Sequence, residues 1–456
     1  GGDLRLRTDG DQVVGDVELR TAAFGERVRL PVGRYDLGLA STAWHPGLLV
    51  DPAELLDARQ RVGLVQDATG AGLLVQPPLG TAERSAHGQQ DLRTRVFAAP
   101  VGIRDRTVLL ETFRGRSVGD NPGAVARELA ARRLDLDLVW VVDDPAVEVP
   151  AGTRAVARRT EEWHALLGHA RGYVANAGAP YWFDKPAGQF HLQTWHGTPL
   201  KRIGEDRGPG DFSTWRHRRR IAAQAAGWDA MISPSPYCTE IFRSAFRYPG
   251  RMLESGYPRN DVLVNDRGEV RRRVRERLGV AAPDRLVLYA PTWREYLGVR
   301  TSKPLYLDPE RLTAAMPDTV VLVRGHYNST GQQDLFTGHD RIHDVTRYPD
   351  IADLYLAADA LVTDYSSVMF DFVLTDKPVV LLTPDLEQYR EVERGFYFDL
   401  EEHAPGPLAR STAGVLEELS RPDADTSRRA SFRSRFCPLE QGRSAAQTVD
   451  RLLELW

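Results

Sequence analysis

From about residue 105 the chain alternates short apolar runs with amphipathic stretches, and this rhythm constrains its fold more than any other feature. Apolar runs occupy 107–113, 138–142, 173–176, 191–195 and 230–233, and a second set follows at 286–289, 320–323, 341–345, 360–363 and 379–382. A run too short for a helix and apolar on both faces reads as a strand buried between helices, so each set predicts a parallel sheet covered on both sides. Asn121-Pro122 puts a proline at the start of a helix over 123–132, and an Arg-rich helix over 270–278 separates the two sets. No G-x-G-x-x-G fingerprint and no Walker lysine motif is present, which disfavours dinucleotide and P-loop chemistry.

Two Rossmann-like halves, with a final helix over 445–455 that crosses back, describe an α/β chain of glycosyltransferase-B architecture, in which the halves face across a cleft. Ahead of them, 1–104 carries short alternating runs such as Leu4-Arg5-Leu6-Arg7 punctuated by Gly, Pro and Asp, which predicts a small antiparallel β-rich accessory domain. The expected boundaries are 1–104 for that domain, 105–269 for the half on the acceptor side, 270–440 for the nucleotide-binding half and 441–456 for the C-terminal helix. A chain of 456 residues exceeds what one core usually supports, in keeping with this division.

The cysteines Cys238 and Cys437 are too few for a disulfide framework and are not spaced as metal ligands, which suits a reducing cytosol. No run approaches the roughly 18 apolar residues of a membrane span, and no signal peptide opens the chain, so a cytoplasmic location is expected. The chain begins Gly1-Gly2 without Met, which leaves room for modules ahead of it. A net charge of −4 argues against general nucleic-acid binding. Two clusters run against that balance: Arg216-His217-Arg218-Arg219-Arg220 and Arg271-Arg272-Arg273-Val274-Arg275. They read either as solvated helix faces or as a foothold on anionic lipid or a polyanionic polymer.

Ligands of open α/β sheets bind beyond the carboxyl ends of the strands, so residues just after the apolar runs are the candidates for chemistry. Trp195-His196-Gly197-Thr198-Pro199 follows one run; the imidazole of His196 can take a proton from an attacking hydroxyl near neutral pH, or simply hydrogen-bond a loop. Arg324-Gly325-His326 follows another and joins a fixed cation, a glycine that permits close backbone approach and an imidazole, a combination suited to phosphate; the alternative is a core histidine. Asp364-Tyr365-Ser366-Ser367 precedes a helical run, with Ser366 or Ser367 as N-cap and the free N–H groups as an anion site. Asp371 lies one turn on, either accepting from ribose or polyol hydroxyls or solvated. Pro291 and Thr292 end the first strand of the second half, where Thr292 can read a base or a phosphate. Arg259, in Gly256-Tyr257-Pro258-Arg259-Asn260-Asp261, either reaches into the cleft or makes a structural salt bridge. No carboxylate cluster of metal-binding spacing is evident, so neither a metal nor another cofactor is expected.

These segments resemble the CDP-glycerol:poly(glycerophosphate) glycerophosphotransferase family, the teichoic acid polymerases and primases. The resemblance rests on Leu109-Leu110-Glu111-Thr112-Phe113 with Asp120-Asn121-Pro122, on Gln193-Thr194-Trp195-His196-Gly197-Thr198-Pro199-Leu200-Lys201, and on Ile232-Ser233-Pro234-Ser235-Pro236-Tyr237. It continues through the Gly256 to Asp261 motif, Tyr289-Ala290-Pro291-Thr292-Trp293-Arg294, Arg324-Gly325-His326 and Thr363-Asp364-Tyr365-Ser366-Ser367, over roughly three quarters of the chain. It implies transfer of glycerol phosphate from CDP-glycerol to a hydroxyl with release of CMP. It further implies His196 as base, His326 as an essential phosphate-site residue, and Arg259, Pro291, Thr292, Arg324, Gly325, His326, Ser366, Ser367 and Asp371 as donor-binding positions.

The partners so implied are CDP-glycerol and a polyol-phosphate or glycan acceptor, lipid-linked, with the chain peripheral on the cytoplasmic membrane face through Arg216, Arg218, Arg219 and Arg220. Two alternatives stay open: the same fold with CDP-ribitol or a nucleotide sugar as donor, and a non-catalytic module that binds wall polymer. Residues 1–104 carry none of the family motifs.

Overall fold

The computed structural model describes residues 5–9, 12–16, 20–23, 26–36, 54–56, 60–67, 70–99, 101–144, 146–207, 215–281, 283–292, 305–325, 336, 339–393 and 395–456; at 5–28, 36, 54–56, 66–67, 70–71, 105, 215–218 and 393 only the backbone is described. These residues group into two compact units. The first is Gly1–Val118, Arg132–Ala179 and Phe183–His191, and the second is Gly119–Ala131, Pro180–Trp182 and Leu192–Trp456.

In the first unit, the N-terminal strands are antiparallel, as their alternation predicts. β1 (Arg5–Asp9) pairs with β2 (Gln12–Asp16), and β3 (Arg20–Ala23) with β4 (Glu26–Arg29). A four-stranded sheet follows, built from β5 (Gly33–Asp36), β6 (Glu54–Leu56), β7 (Arg61–Asp67) and β8 (Gly70–Gln76) in the order β5-β8-β7-β6. The sequence reading missed the helix Ala86–Leu92, whose N-cap Ser85 accepts from the backbone of Gly88 at 2.9 Å. The same unit then forms parallel strands β9 (Arg104–Glu111), β10 (Asp137–Val142), β11 (Arg154–Ala157) and β12 (Ala170–Ala175), in the order β11-β10-β9-β12. Val108, Leu109, Leu110, Val139, Trp140 and Val141 are wholly buried, which is why these strands read as continuous apolar runs.

Strand β13 (Phe190–Gln193) carries the chain from the first unit into the second, where its last residues pair with β14 (Ala230–Ser233) and β14 pairs with β15 (Arg251–Glu254), all parallel. The second unit also holds a six-stranded parallel sheet: β16 (Arg285–Ala290), β17 (Thr319–Val323), β18 (Ile342–Asp344), β19 (Ala360–Thr363), β20 (Val379–Leu382) and β21 (Leu408–Ala409). Its order, β18-β17-β16-β19-β20-β21, is the doubly wound order 3-2-1-4-5-6. The chain winds outward from β16 to β18 and then returns to lay β19 on the other side of β16, so the switch point lies at the carboxyl ends of β16 and β19.

Some local expectations shift. The helix expected from 123 runs Asp120–Ala131, which puts Pro122 in the first turn, where its missing N–H still costs no intrahelical bond. In the helix Glu269–Arg277 the arginine cluster divides: Arg272 and Arg273 stay exposed, beside Glu276 (2.8 Å) and Asp353 (3.4 Å), while Arg271 and Arg275 are turned to structural use. Arg271 donates to the carbonyl of Ala357 (2.8 Å) and to Asp359 (2.6 Å), while buried Arg275 donates to the carbonyl of Ala281 (2.8 Å) and to Asp359 (3.3 Å). The C-terminal helix Ser444–Leu455 returns to the helix Asp120–Ala131 and is anchored where Asp261 accepts the N–H groups of Ser444 and Ala445, both at 2.8 Å. No helix is long and apolar enough to cross a membrane among the described residues.

Candidate functional site

The site lies within the second unit. Its centre is the loop after β13, where Trp195 adopts a left-handed backbone with φ 52°. A bulky residue seldom takes that conformation unless its surroundings impose it. Here the Trp195 ring is wedged edge-on against Phe246 (centroids 4.8 Å apart) and Phe242 (5.8 Å), and its free face stacks on the imidazole of His196 at 4.4 Å. Gly197 follows, and a Cβ there would lie 2.6 Å from Oγ and 2.9 Å from Cβ of Ser367. The His196–Gly197 backbone therefore packs directly on the Ser366–Ser367 turn, a contact that only glycine permits.

Buried Arg259 ties these segments together. Its Nη1 donates to Asp120 Oδ2 (2.7 Å) and to the carbonyl of His196 (2.8 Å), and its Nη2 donates to Asp371 Oδ2 (2.7 Å). Burial opposes its charge, and the two carboxylates more than offset that, holding the guanidinium ionised. Asp371 is buried too, its second oxygen accepting from Asn260 Nδ2 at 3.0 Å; burial pushes its carboxyl up against the pull of Arg259. The solvated alternative for Asp371 is thus excluded, because both its oxygens are engaged inside the protein. The same Asn260 amide reaches Glu440 Oε1 (3.0 Å), which also accepts the N–H of Tyr257 (3.0 Å), and burial pushes the Glu440 carboxyl up to about 8.

The other candidates gather at the carboxyl edge of β17, β16 and β19, astride the switch point. Pro291 and Thr292 leave β16, and the Thr292 N–H donates to both oxygens of buried Asp364 (2.9 and 3.1 Å). Asp364 is therefore spent on bracing two adjacent strand ends, which also meet where Thr363 Oγ1 donates to the carbonyl of Ala290 at 2.7 Å. Arg324 leaves β17 with Nη1 donating to the carbonyls of Val345 (3.0 Å) and Tyr348 (2.8 Å), and burial pushes its guanidinium down. The Gly325 N–H donates to Thr346 Oγ1 at 2.9 Å. His326 lies outside the described residues.

Ser367 is the N-cap of the short helix Val368–Phe372 but makes no side-chain cap bond, because it is already in the right-handed helical conformation. Ser366 Oγ accepts from the N–H of Val368 at 3.4 Å. Beside this turn the Tyr365 ring stacks on Tyr389 at 4.2 Å, and Lys201 Nζ stands 5.8 Å from the Tyr389 centroid. Among the described residues no group of His, Cys, Asp or Glu is placed to hold a metal ion.

Sequence reasoning thus named His196, Arg259, Thr292, Ser367 and Asp371, which the structure brings into one neighbourhood, but gave no role to Asp120, Asn121, Asn260, Asp364 or Glu440. Their partners lie up to 183 residues away, and no local periodicity marks such pairs. For Asp120, Asn121, Asn260 and Asp364 the one available signal was their presence inside the quoted motifs, and Glu440 lies in none of them.

Comparison with known proteins matches a family model described as CDP-Glycerol:Poly(glycerophosphate) glycerophosphotransferase over residues 93–454. The chain is 36% identical to the teichoic acid poly(glycerol phosphate) polymerase of Bacillus subtilis over 79% of its own length, and spans 50% of that protein. It is 35% identical to the protein of the same name from Bacillus spizizenii, covering 76% of this chain and 92% of the relative. Among solved structures, that of a variant of the wall teichoic acid polymerase TagF soaked with CDPG superposes with a TM-score of 0.75 at 31% identity, over 80% of this chain and 93% of that one. The α/β fold is accordingly that of this polymerase, with parallel sheets of two Rossmann-like domains behind small antiparallel sheets.

Proposed function

The chain belongs to the CDP-glycerol:poly(glycerophosphate) glycerophosphotransferase family, and on that premise we propose that it moves glycerol phosphate from CDP-glycerol to a hydroxyl of a teichoic-acid-type acceptor, releasing CMP. The observation that supports this reading is the seating of the His196–Gly197 loop against Ser367, near the switch point where nucleotides bind in such sheets.

In this reading His196 takes the proton of the acceptor hydroxyl as its oxygen attacks the phosphorus that bears glycerol. A new P–O bond forms, the anhydride P–O bond breaks, and CMP departs with the electron pair. Such a transfer depends mainly on positioning and charge neutralisation. The backbone and side chains of Pro291, Thr292, Gly325, Ser366 and Ser367 and the side chains of Arg324 and His326 would receive the donor. Arg259 and Asp371, which hold each other in the interior, fix the frame against which the donor would rest. The half over 270–440 takes the nucleotide, and the half over 105–269 supplies the base. Both polymerases compared are named for poly(glycerol phosphate), which favours the glycerol donor over ribitol.

The acceptor is lipid-linked in this reading, and the chain is peripheral on the cytoplasmic membrane face. Support comes from the exposure of Arg219 and Arg220 on the helix Trp215–Ala226, where Arg220 also lies over Tyr181, its guanidinium carbon 4.6 Å from the ring centroid. The decisive experiment is CMP release from CDP-glycerol and a lipid-linked acceptor by wild type and His196→Ala. A loss of about 100-fold or more, the usual scale for a general base, is expected. Turnover close to wild type would remove His196 from the mechanism.

A further inference from the structure

Asn121 has no part in that mechanism, yet it is wholly buried and spends both of its amide hydrogens on the loop of His196. Its Nδ2 donates to two successive carbonyls, Thr194 at 3.2 Å and Trp195 at 3.1 Å, while its Oδ1 accepts the backbone N–H of Arg259 at 3.1 Å. A primary amide offers two hydrogens and one oxygen, so both donors and the acceptor are in use. The next carbonyl, that of His196, is held by Arg259 Nη1 at 2.8 Å. Three consecutive carbonyls, 194 to 196, are thus fixed by two side chains, the amide of Asn121 and the guanidinium of Arg259.

This matters because the loop is not relaxed on its own account. Trp195 is left-handed without being glycine, and the ring it orients is the surface on which His196 stacks. Gly197 rests on Ser367 with no room to spare, so the loop cannot relax toward that turn. Without the amide the carbonyl of Thr194 loses a buried donor and that of Trp195 is left to Thr194 Oγ1 at 3.2 Å, and the simplest remedy is a backbone rotation that swings the imidazole away.

We propose that Asn121 is a positioning residue for the transfer step, clamping the carbonyls of Thr194 and Trp195 so that His196 is aimed at the acceptor hydroxyl. The proposal rests on His196 as base. It requires that Asn121 act through His196, not through donor binding.

The test is a double-mutant cycle of Asn121→Ala and His196→Ala, with kcat, KM for CDP-glycerol and CDP-glycerol affinity measured on folded protein. A misplacement of about 1 Å costs on the order of 100-fold, so Asn121→Ala should lower kcat by about that factor while donor affinity stays within about twofold. In the His196→Ala background the same substitution should cost almost nothing further, since a residue that only aims the base has nothing left to aim. Should Asn121→Ala not fold, Asn121→Ser, which keeps one hydroxyl donor, carries the same cycle. Losses that multiply in the double variant, or a fall in donor affinity that accounts for the lost activity, would overturn the proposal while leaving His196 as base. Wild-type turnover in His196→Ala would instead overturn the reading on which it stands.

Discussion

Glu440→Gln should stabilise the protein by an amount that grows with pH. Glu440 is half-buried, with Oε2 out of reach of solvent: Oε1 accepts from Tyr257 N and Asn260 Nδ2, both at 3.0 Å, and Oε2 has no hydrogen-bond partner among the described residues. Burial raises its pKa from the ordinary 4.5 to about 8, so at neutral pH the folded chain holds a proton there that the unfolded chain releases. A folded value raised above the unfolded one gives stability that is complete below 4.5 and is lost as pH rises through 8. One unit corresponds to about 1.4 kcal/mol, so Glu440 costs on the order of 3 kcal/mol by pH 7 relative to acid conditions. Glutamine cannot ionise, keeps the Oε1 acceptor and puts an amide where the protonated oxygen stood. Urea unfolding of both proteins from pH 5 to 8 should therefore show an advantage for the variant that widens by about 1.4 kcal/mol per pH unit. An advantage or deficit independent of pH would refute a buried, protonated Glu440.

Three other substitutions probe the neighbourhood. Gly197→Ala drives a methyl to within 2.9 Å of Ser367 Cβ, which side-chain rotation cannot relieve, so CMP release should fall at least about 10-fold with the far-UV circular dichroism unchanged. Arg259→Met strands Asp120 and Asp371 in the interior and should cost about 3–5 kcal/mol in urea unfolding at pH 7, with part of the loss regained as acid protonates Asp371, whose carboxyl burial already pushes up. Replacing Arg216, Arg218, Arg219 and Arg220 by Gln should weaken binding to anionic liposomes by roughly 1 kcal/mol per charge, and added salt should mimic the loss in wild type. Equal liposome binding by both proteins would return that helix face to solvent.

What the sequence revealed follows from what local pattern can encode. Central strands such as β10, β14, β17 and β19 were legible because both of their faces are buried and nearly every residue is apolar. The missed strands are β11, β15 and β21: β15 is largely exposed at Arg251 and Glu254, and β21 is two residues long. The candidate residues after strand ends were legible through the rule that ligands meet parallel sheets there. What those residues touch was not. Asp371 looked like a hydroxyl acceptor or a solvated aspartate because its partner Arg259 is 112 residues away, and Ser367 looked like an ordinary N-cap because a five-residue helix does not announce that its cap is already helical. Asn121 looked like the prelude to a proline-led helix, and only folding brings it under the carbonyls of Thr194 and Trp195.

Whether this chain transfers glycerol phosphate from CDP-glycerol with His196 as base is decided by following CMP release with a lipid-linked glycerol phosphate acceptor. CDP-glycerol and CDP-ribitol are supplied in parallel to wild type and His196→Ala. Wild type should release acceptor-dependent CMP from CDP-glycerol and far less from CDP-ribitol, and His196→Ala should be slower by about 100-fold or more. Acceptor-dependent turnover that prefers CDP-ribitol, or that survives intact without His196, would contradict this reading.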